Sequence, residues 1–159
     1  MRLDLPEGAR FASFTRERLW DLWREMSPHV KLFGDDWMRD PEVFMRVMLA
    51  PDTVVVETDF GMIFLVRLRE GLRGEVHLYF WDHKLSAHTE WLHECLIWAF
   101  LNYDLERIET FVPQDSRAVT RFLRDQMNFK FEGLMRNRTL LGGRFINIEI
   151  YAILRDEIL

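Results

Sequence analysis

From Ile108 to Glu157 the chain reads IETFVPQDSRAVTRFLRDQMNFKFEGLMRNRTLLGGRFINIEIYAILRDE. Its spacing predicts a strand over Arg107 to Val112, a short amphipathic helix over Ser116 to Arg124, and two strands, Phe129 to Met135 and Phe145 to Leu154, meeting around Gly142-Gly143. Upstream, Leu92, Leu96, Ala99 and Phe100 recur on one side of a strongly apolar helix from Thr89 to Leu101. Before it come three strands, Thr53 to Glu57, Met62 to Leu68 and Glu75 to Trp81, with turns at Asp59 to Gly61 and Gly71 to Gly74.

Nearer the N-terminus, Leu19, Leu22, Trp23 and Met26 follow Thr15, an N-cap residue, and mark a first helix that ends near Ser27-Pro28. Residues His29 to Arg39 read as loop; Asp40-Pro41 then starts a second helix with proline in its first turn and Phe44, Val47 and Met48 as its buried stripe. A short strand is expected at Arg10 to Phe14. The order of elements predicts an α/β protein, a mixed, mostly antiparallel sheet of about six to seven strands with helices on both faces.

The 159 residues are 48% hydrophobic and 14% aromatic, enough to bury one substantial core, and no repeat or linker divides them, so a single domain over 1–159 is expected. Acidic residues outnumber basic ones by 26 to 21, for a formal charge of −5, which disfavours nucleic acid as the main ligand because phosphate binding needs a cationic surface. The lone Cys95 allows no intrachain disulfide, and no signal peptide or membrane span is legible; a cytoplasmic protein without a membrane partner is expected.

The element order resembles the GNAT N-acetyltransferase fold over roughly Phe11 to Glu157, and the motifs look closest to the subgroup that acetylates protein N-termini, ribosomal proteins included. The matching positions are Val112-Pro113, Asp115 with Ala118, Phe122, Asn128-Phe129, Glu132-Gly133, Arg136 and Gly143-Arg144. The resemblance implies acetyl-CoA as co-substrate and a primary amine as acceptor. It implies that the pantetheine arm runs along the backbone of Phe80, Trp81 and Asp82, where the fourth strand splays from the fifth. It sets the pyrophosphate at the start of the third helix, on a loop of Lys84, Ser86, Ala87, His88 and Thr89, with Asp115 and Phe122 also at the cofactor. Ser86 and His88 occupy the glycine positions of the family loop, so both key glycines are missing; His88 brings a ring to where the phosphate is expected. In the bland alternative Ser86 or Thr89 simply caps the helix.

Direct transfer to an amine needs a base for the ammonium and an acid for the leaving thiolate. Glu75, His77 and Tyr79 alternate along the fourth strand and so share a face, opposite Val76, Leu78 and Phe80. Glu75 or His77 is the candidate base; the alternative is a solvated face. Phe122 stands where the resemblance implies an acid tyrosine, and Tyr103 and Tyr151 do not match that position. The five histidines and Cys95 lack metal-ligand spacing, so no metal is expected. Arg117, Arg121 and Arg124 could meet the adenosine phosphate or form a solvated helix face, and Trp91 and Trp98 either pack in the core or form a stripe for homo-oligomerisation. An acetyl-CoA-dependent N-acetyltransferase is the first reading. A GNAT-like binding or assembly module that has lost catalysis is the second, and use of another acyl donor the third.

Overall fold

The computed structural model describes residues 3–29 and 35–159. Along the chain these form β1 (Arg10–Phe11), α1 (Arg16–Met26), a 3-10 turn (Trp37–Arg39), α2 (Pro41–Met48), β2 (Val54–Glu57), β3 (Gly61–Arg69) and β4 (Arg73–Phe80). A second 3-10 turn (Leu85–His88) leads into α3 (Thr89–Asn102), followed by β5 (Arg107–Pro113), α4 (Arg117–Asp125), β6 (Lys130–Leu141), β7 (Arg144–Leu154) and a last 3-10 turn (Arg155–Glu157).

Seven strands form one sheet in the order β1-β2-β3-β4-β5-β7-β6. All neighbours are antiparallel except β4 and β5, which pair in parallel and only over Arg73–Glu75 against Arg107–Glu109. Beyond Glu75 the two strands part. The β5 edge there continues to pair with β7, while β4 from Val76 to Phe80 is bonded only on its β3 side.

The period-2 alternation divides the core into two layers. On one face Ile63, Leu65, Val76, Phe80, Ile108 and Ile153 pack under α3 and α4. On the other, Val55, Met62, Phe64, Val66 and Tyr79 pack under Leu19, Leu22 and Met26 of α1 and Phe44 and Met48 of α2. The third helix is apolar nearly all round because it lies in the larger layer, with Leu92, Leu96, Ala99 and Phe100 all buried.

Thr15 caps α1 through its hydroxyl to Arg18 N, and Asp40 caps α2 by accepting from Glu42 N and Val43 N, as the sequence predicts. Three boundaries differ. The first strand stops at Phe11. Ser116, not Asp115, is the residue before α4. The sixth strand runs on to Leu141 through two irregularities, because a hairpin with Gly142 (φ 59) and Gly143 (φ 75) as its two-residue turn keeps Thr139, Leu140 and Leu141 in register with Ile146, Phe145 and Arg144. The polar run Arg136 to Arg138 disguises that extension in the sequence. The predicted loop over 29–39 lies partly outside the described residues.

Candidate active site

The parting of β4 and β5 begins beside Glu75. This carboxylate is buried, and its Oε1 lies 2.7 Å from Nε2 of His77, while Oε2 accepts from Arg67 Nη1 at 2.9 Å. Burial pushes the Glu75 carboxyl up, but the hydrogen bond and charge of His77, and then of Arg67, outweigh it and hold the group below its ordinary value. An anionic Glu75 favours the proton on His77 Nε2, leaving Nδ1 as the acceptor. The His77 side chain stays 34% accessible against 9% for Glu75, so the pair presents the imidazole and hides the carboxylate.

Sequence reasoning missed Arg67. In a regular strand it would point away from Val66 and therefore away from Glu75, the residue that pairs with Val66. An irregularity between Val66 and Arg69 sets Arg67 at φ 50 and brings its guanidinium to the Glu75 side. The pairing of the β3–β4 hairpin holds a partial signal for this contact; the irregularity does not show in the residues.

Glu75 and His77 open into a cavity of about 450 Å³ on the α1/α2 face. Phe44 and Val47 of α2, Phe64 and Val66 of β3, Phe111 of β5 and Ile148 of β7 give it an apolar wall. The segment before α2, which carries the lining residues Asp35 and Trp37, is tied across the fold. Asp36 N donates to Leu140 O at 2.7 Å, and the Asp36 carboxylate accepts from Gly142 N at 2.8 Å and Gly143 N at 3.0 Å, fastening the segment before α2 to the tip of the last hairpin. Tyr79, third on the predicted face, is buried, and its hydroxyl lies 3.3 Å from Glu25.

Phe80, Trp81 and Asp82 continue the free edge of β4, with Trp81 N donating to Phe60 O on the β3 side. Asp82 organises the loop: Oδ1 accepts from Lys84 N at 3.0 Å and Oδ2 lies 2.8 Å from His88 Nε2. The Lys84 amide and then His88 hold the Asp82 carboxyl below its ordinary value. The His88 ring stacks flat on Phe60, 3.9 Å between centroids at 2°, and meets the Phe80 ring edge-on at 4.9 Å.

Neither Ser86 nor Thr89 caps the third helix, whose N-terminus has no side-chain cap. Their hydroxyls meet Gln126 instead, Gln126 Nε2 donating to Ser86 Oγ and Thr89 Oγ1 to Gln126 Oε1, both at 3.1 Å. This clasp ties the loop to the residue after α4; a contact across 37 to 40 positions leaves no trace in the sequence. The start of α3 thus has no side-chain cap, the β4 edge is free beyond Glu75, and Ala87 is exposed in the turn between them.

Phe122 is buried in the α3/α4 layer, Asp115 is exposed ahead of α4, and Tyr151 donates to Glu149 Oε2 at 2.8 Å. Arg117, Arg121 and Arg124 are exposed, with Arg124 paired to Asp125. Trp98 is buried and its indole N–H donates to Leu3 O, so Trp91 and Trp98 form no exposed stripe. Cys95 is a core residue whose thiol burial pushes up, and no group of three metal-binding side chains occurs among the described residues. No helix among them is long and apolar enough to cross a membrane.

No protein-family model and no curated protein matches the chain by sequence. Solved structures do match it. The spermidine N-acetyltransferase of Vibrio cholerae, in complex with CoA and spermine, superposes with a TM-score of 0.72 over 95% of this chain and 98% of its own, at 15% identity. A protein of Chromobacterium violaceum, described as a probable acetyltransferase of the GNAT family, gives 0.70 over 95% and 90% at 20% identity. Neither singles out the subgroup that acts on protein N-termini. At such identities the likeness speaks for the architecture alone, and that architecture is the GNAT N-acetyltransferase fold.

Proposed function

We propose that the protein is an acetyl-CoA-dependent N-acetyltransferase acting on a primary amine. The observation that carries this reading is the Glu75–His77 pair, 2.7 Å apart, where β4 leaves β5 and the apolar cavity begins. Acetyl-CoA, when bound, supplies a thioester whose C–S bond breaks as the new N–C bond forms. The chain's own residues do the rest. His77 Nδ1 takes the proton of the ammonium, and Glu75, anionic beside Arg67, holds Nε2–H and steadies the imidazolium that results. The cavity wall excludes water from the amine, and the free β4 edge at Phe80, Trp81 and Asp82 receives the pantetheine amides as an added strand would. The uncapped start of α3, with Lys84 nearby, receives the pyrophosphate. With Phe122 in the acid position, the thiolate leaves without a protein donor.

The second reading, a binding module of the same fold, is favoured by that same Phe122 and by the Gln126 clasp on Ser86 and Thr89. A thermal-shift titration with acetyl-CoA, beside ATP and free coenzyme A, tests the first; the second predicts no binding, or binding without transfer. Saturation at a hundred times Kd adds about 2.7 kcal/mol, a rise of roughly 5 to 10 °C. No rise at millimolar acetyl-CoA would rule out the transferase reading.

A further inference from the structure

The charged side chains that line the cavity beside His77 cancel: Asp35, Asp52 and Glu75 stand against Arg46, Arg67 and Arg138. The cavity thus carries no net charge by which to select a ligand. Apart from Thr53 and His77, the rest of its lining among the described residues is apolar or aromatic. Its floor starts at the candidate base. The parallel register of Glu75 with Glu109, carried two residues on, sets His77 of β4 level with Phe111 of β5 across the gap and on the same face. Beyond Phe111 the lining passes to Ile148 of β7 and then to Met135 of β6, which pair with each other. At about 4.8 Å between paired strands, this floor runs roughly 10 Å past Phe111. Met26, Met38 and Met48 also line the cavity, and their unbranched thioether chains adapt to the shape of an alkyl or aryl group.

We propose that the acceptor is a primary amine on an apolar body, alkyl or aryl, with its nitrogen at His77 and its carbon chain along Phe111, Ile148 and Met135. This rests on the transferase reading. In the transfer the amine nitrogen bonds to the acetyl carbon as the C–S bond breaks. Of the two protons the ammonium loses, one goes to His77 Nδ1 and the other ends on the departing thiol. The apolar body contributes by leaving water for this floor. A polar body of the same length would give up its bonds to water there, because Phe111, Ile148 and Met135 side chains offer no strong hydrogen bond in return.

The test uses propylamine, butylamine, pentylamine and hexylamine, with 2-(2-aminoethoxy)ethanol as the polar match of hexylamine in length. Thiol release from acetyl-CoA gives kcat/KM, and calorimetric titration gives binding without turnover. Each added methylene raises kcat/KM by about 2- to 4-fold, and hexylamine exceeds its polar match by about 10- to 100-fold. Both ratios shrink toward one in Phe111→Ala and in Met135→Gln, while KM for acetyl-CoA stays as in the parent chain, which a general loss of structure would not give. Both residues are half-buried, so the variants are expected to fold, which their melting curves check. 2-Phenylethylamine beside phenylalanyl-glycinamide distinguishes a free amine from a peptide N-terminus as the source, and turnover of either at the level of hexylamine upholds the apolar class. Thiol release that ignores chain length, or that is equal or faster with the polar match, overturns the proposal and leaves the transferase reading standing. Binding that strengthens with chain length, without thiol release from any amine, upholds the apolar site and removes the transferase reading. Neither binding nor release overturns both.

Discussion

Glu75 of β4 and Glu109 of β5 are the last residues to pair before the two strands part. Both are buried, and parallel partners point to the same face, so two carboxylates stand side by side at the apex of the gap. Like charges so placed repel unless each is compensated. Arg67 and His77 compensate Glu75, while Arg73 and Arg107 compensate Glu109, at 3.0 and 2.9 Å. The ladder thus ends where the candidate base begins.

Replacing His77 with Gln lowers kcat/KM for acetyl transfer by about 10²- to 10⁴-fold, the usual weight of a general base. Glu75→Gln lowers it at least about 10-fold by removing the anion that steadies the imidazolium. Stability suffers less, by about 1 kcal/mol, because the freed Arg67 side chain is 72% exposed and water takes over its bonds. Steady-state kinetics beside urea unfolding separates the two effects.

The lowered Glu75 pKa also has a sign in stability. Its contribution is complete above the unfolded carboxyl value of 4.5 and is lost as pH falls through the depressed folded value. Melting temperature measured from pH 6 downward should therefore fall less steeply in Glu75→Gln than in the parent chain. An identical acid slope in both would contradict the assignment.

Asp36 holds the tip of the last hairpin through two backbone amides. Gly143 first and Gly142 next lower its pKa, so the hold is intact at and above the ordinary value of 3.8 and is released as pH falls through the depressed folded value. In Asp36→Ala the Gly142 and Gly143 amides should exchange severalfold faster at neutral pH, after correction for intrinsic rates. Amide hydrogen exchange followed by NMR reads this residue by residue.

Phe122→Tyr places a hydroxyl where the resemblance implies an acid. The position is 4% exposed within the α3/α4 layer, so the change should cost about 1–3 kcal/mol of stability. Turnover should nonetheless rise, by up to about 10-fold, because the thiolate gains a donor. A variant that loses stability with no gain in kcat would show that the protein transfers without a protein acid.

Glu57 ties the N-terminal segment to the sheet, buried between Arg10, at 3.0 Å, and Arg18. Both arginine side chains are partly exposed, at 57% and 39%, so water shares in each pair and Glu57→Ala should cost about 1–3 kcal/mol rather than more. Denaturant unfolding measures it. A double variant with Arg18→Ala should lose less than the sum of the two single changes.

Local physics made much of this protein legible in its residues. Alternation in β3 and β4 set which side chains share a face, Thr15 and Asp40-Pro41 marked two helix starts, and Gly142-Gly143 marked the last turn, because each of these depends on neighbours within a few positions. From them came the sheet, its helical layers and the candidacy of Glu75 and His77. Contacts between residues far apart in sequence were decided only by the tertiary structure. The irregularity that carries Arg67 to Glu75, the Gln126 clasp on Ser86 and Thr89 and the Asp36 hold on the hairpin tip all depend on how packed elements meet, and no local propensity encodes that.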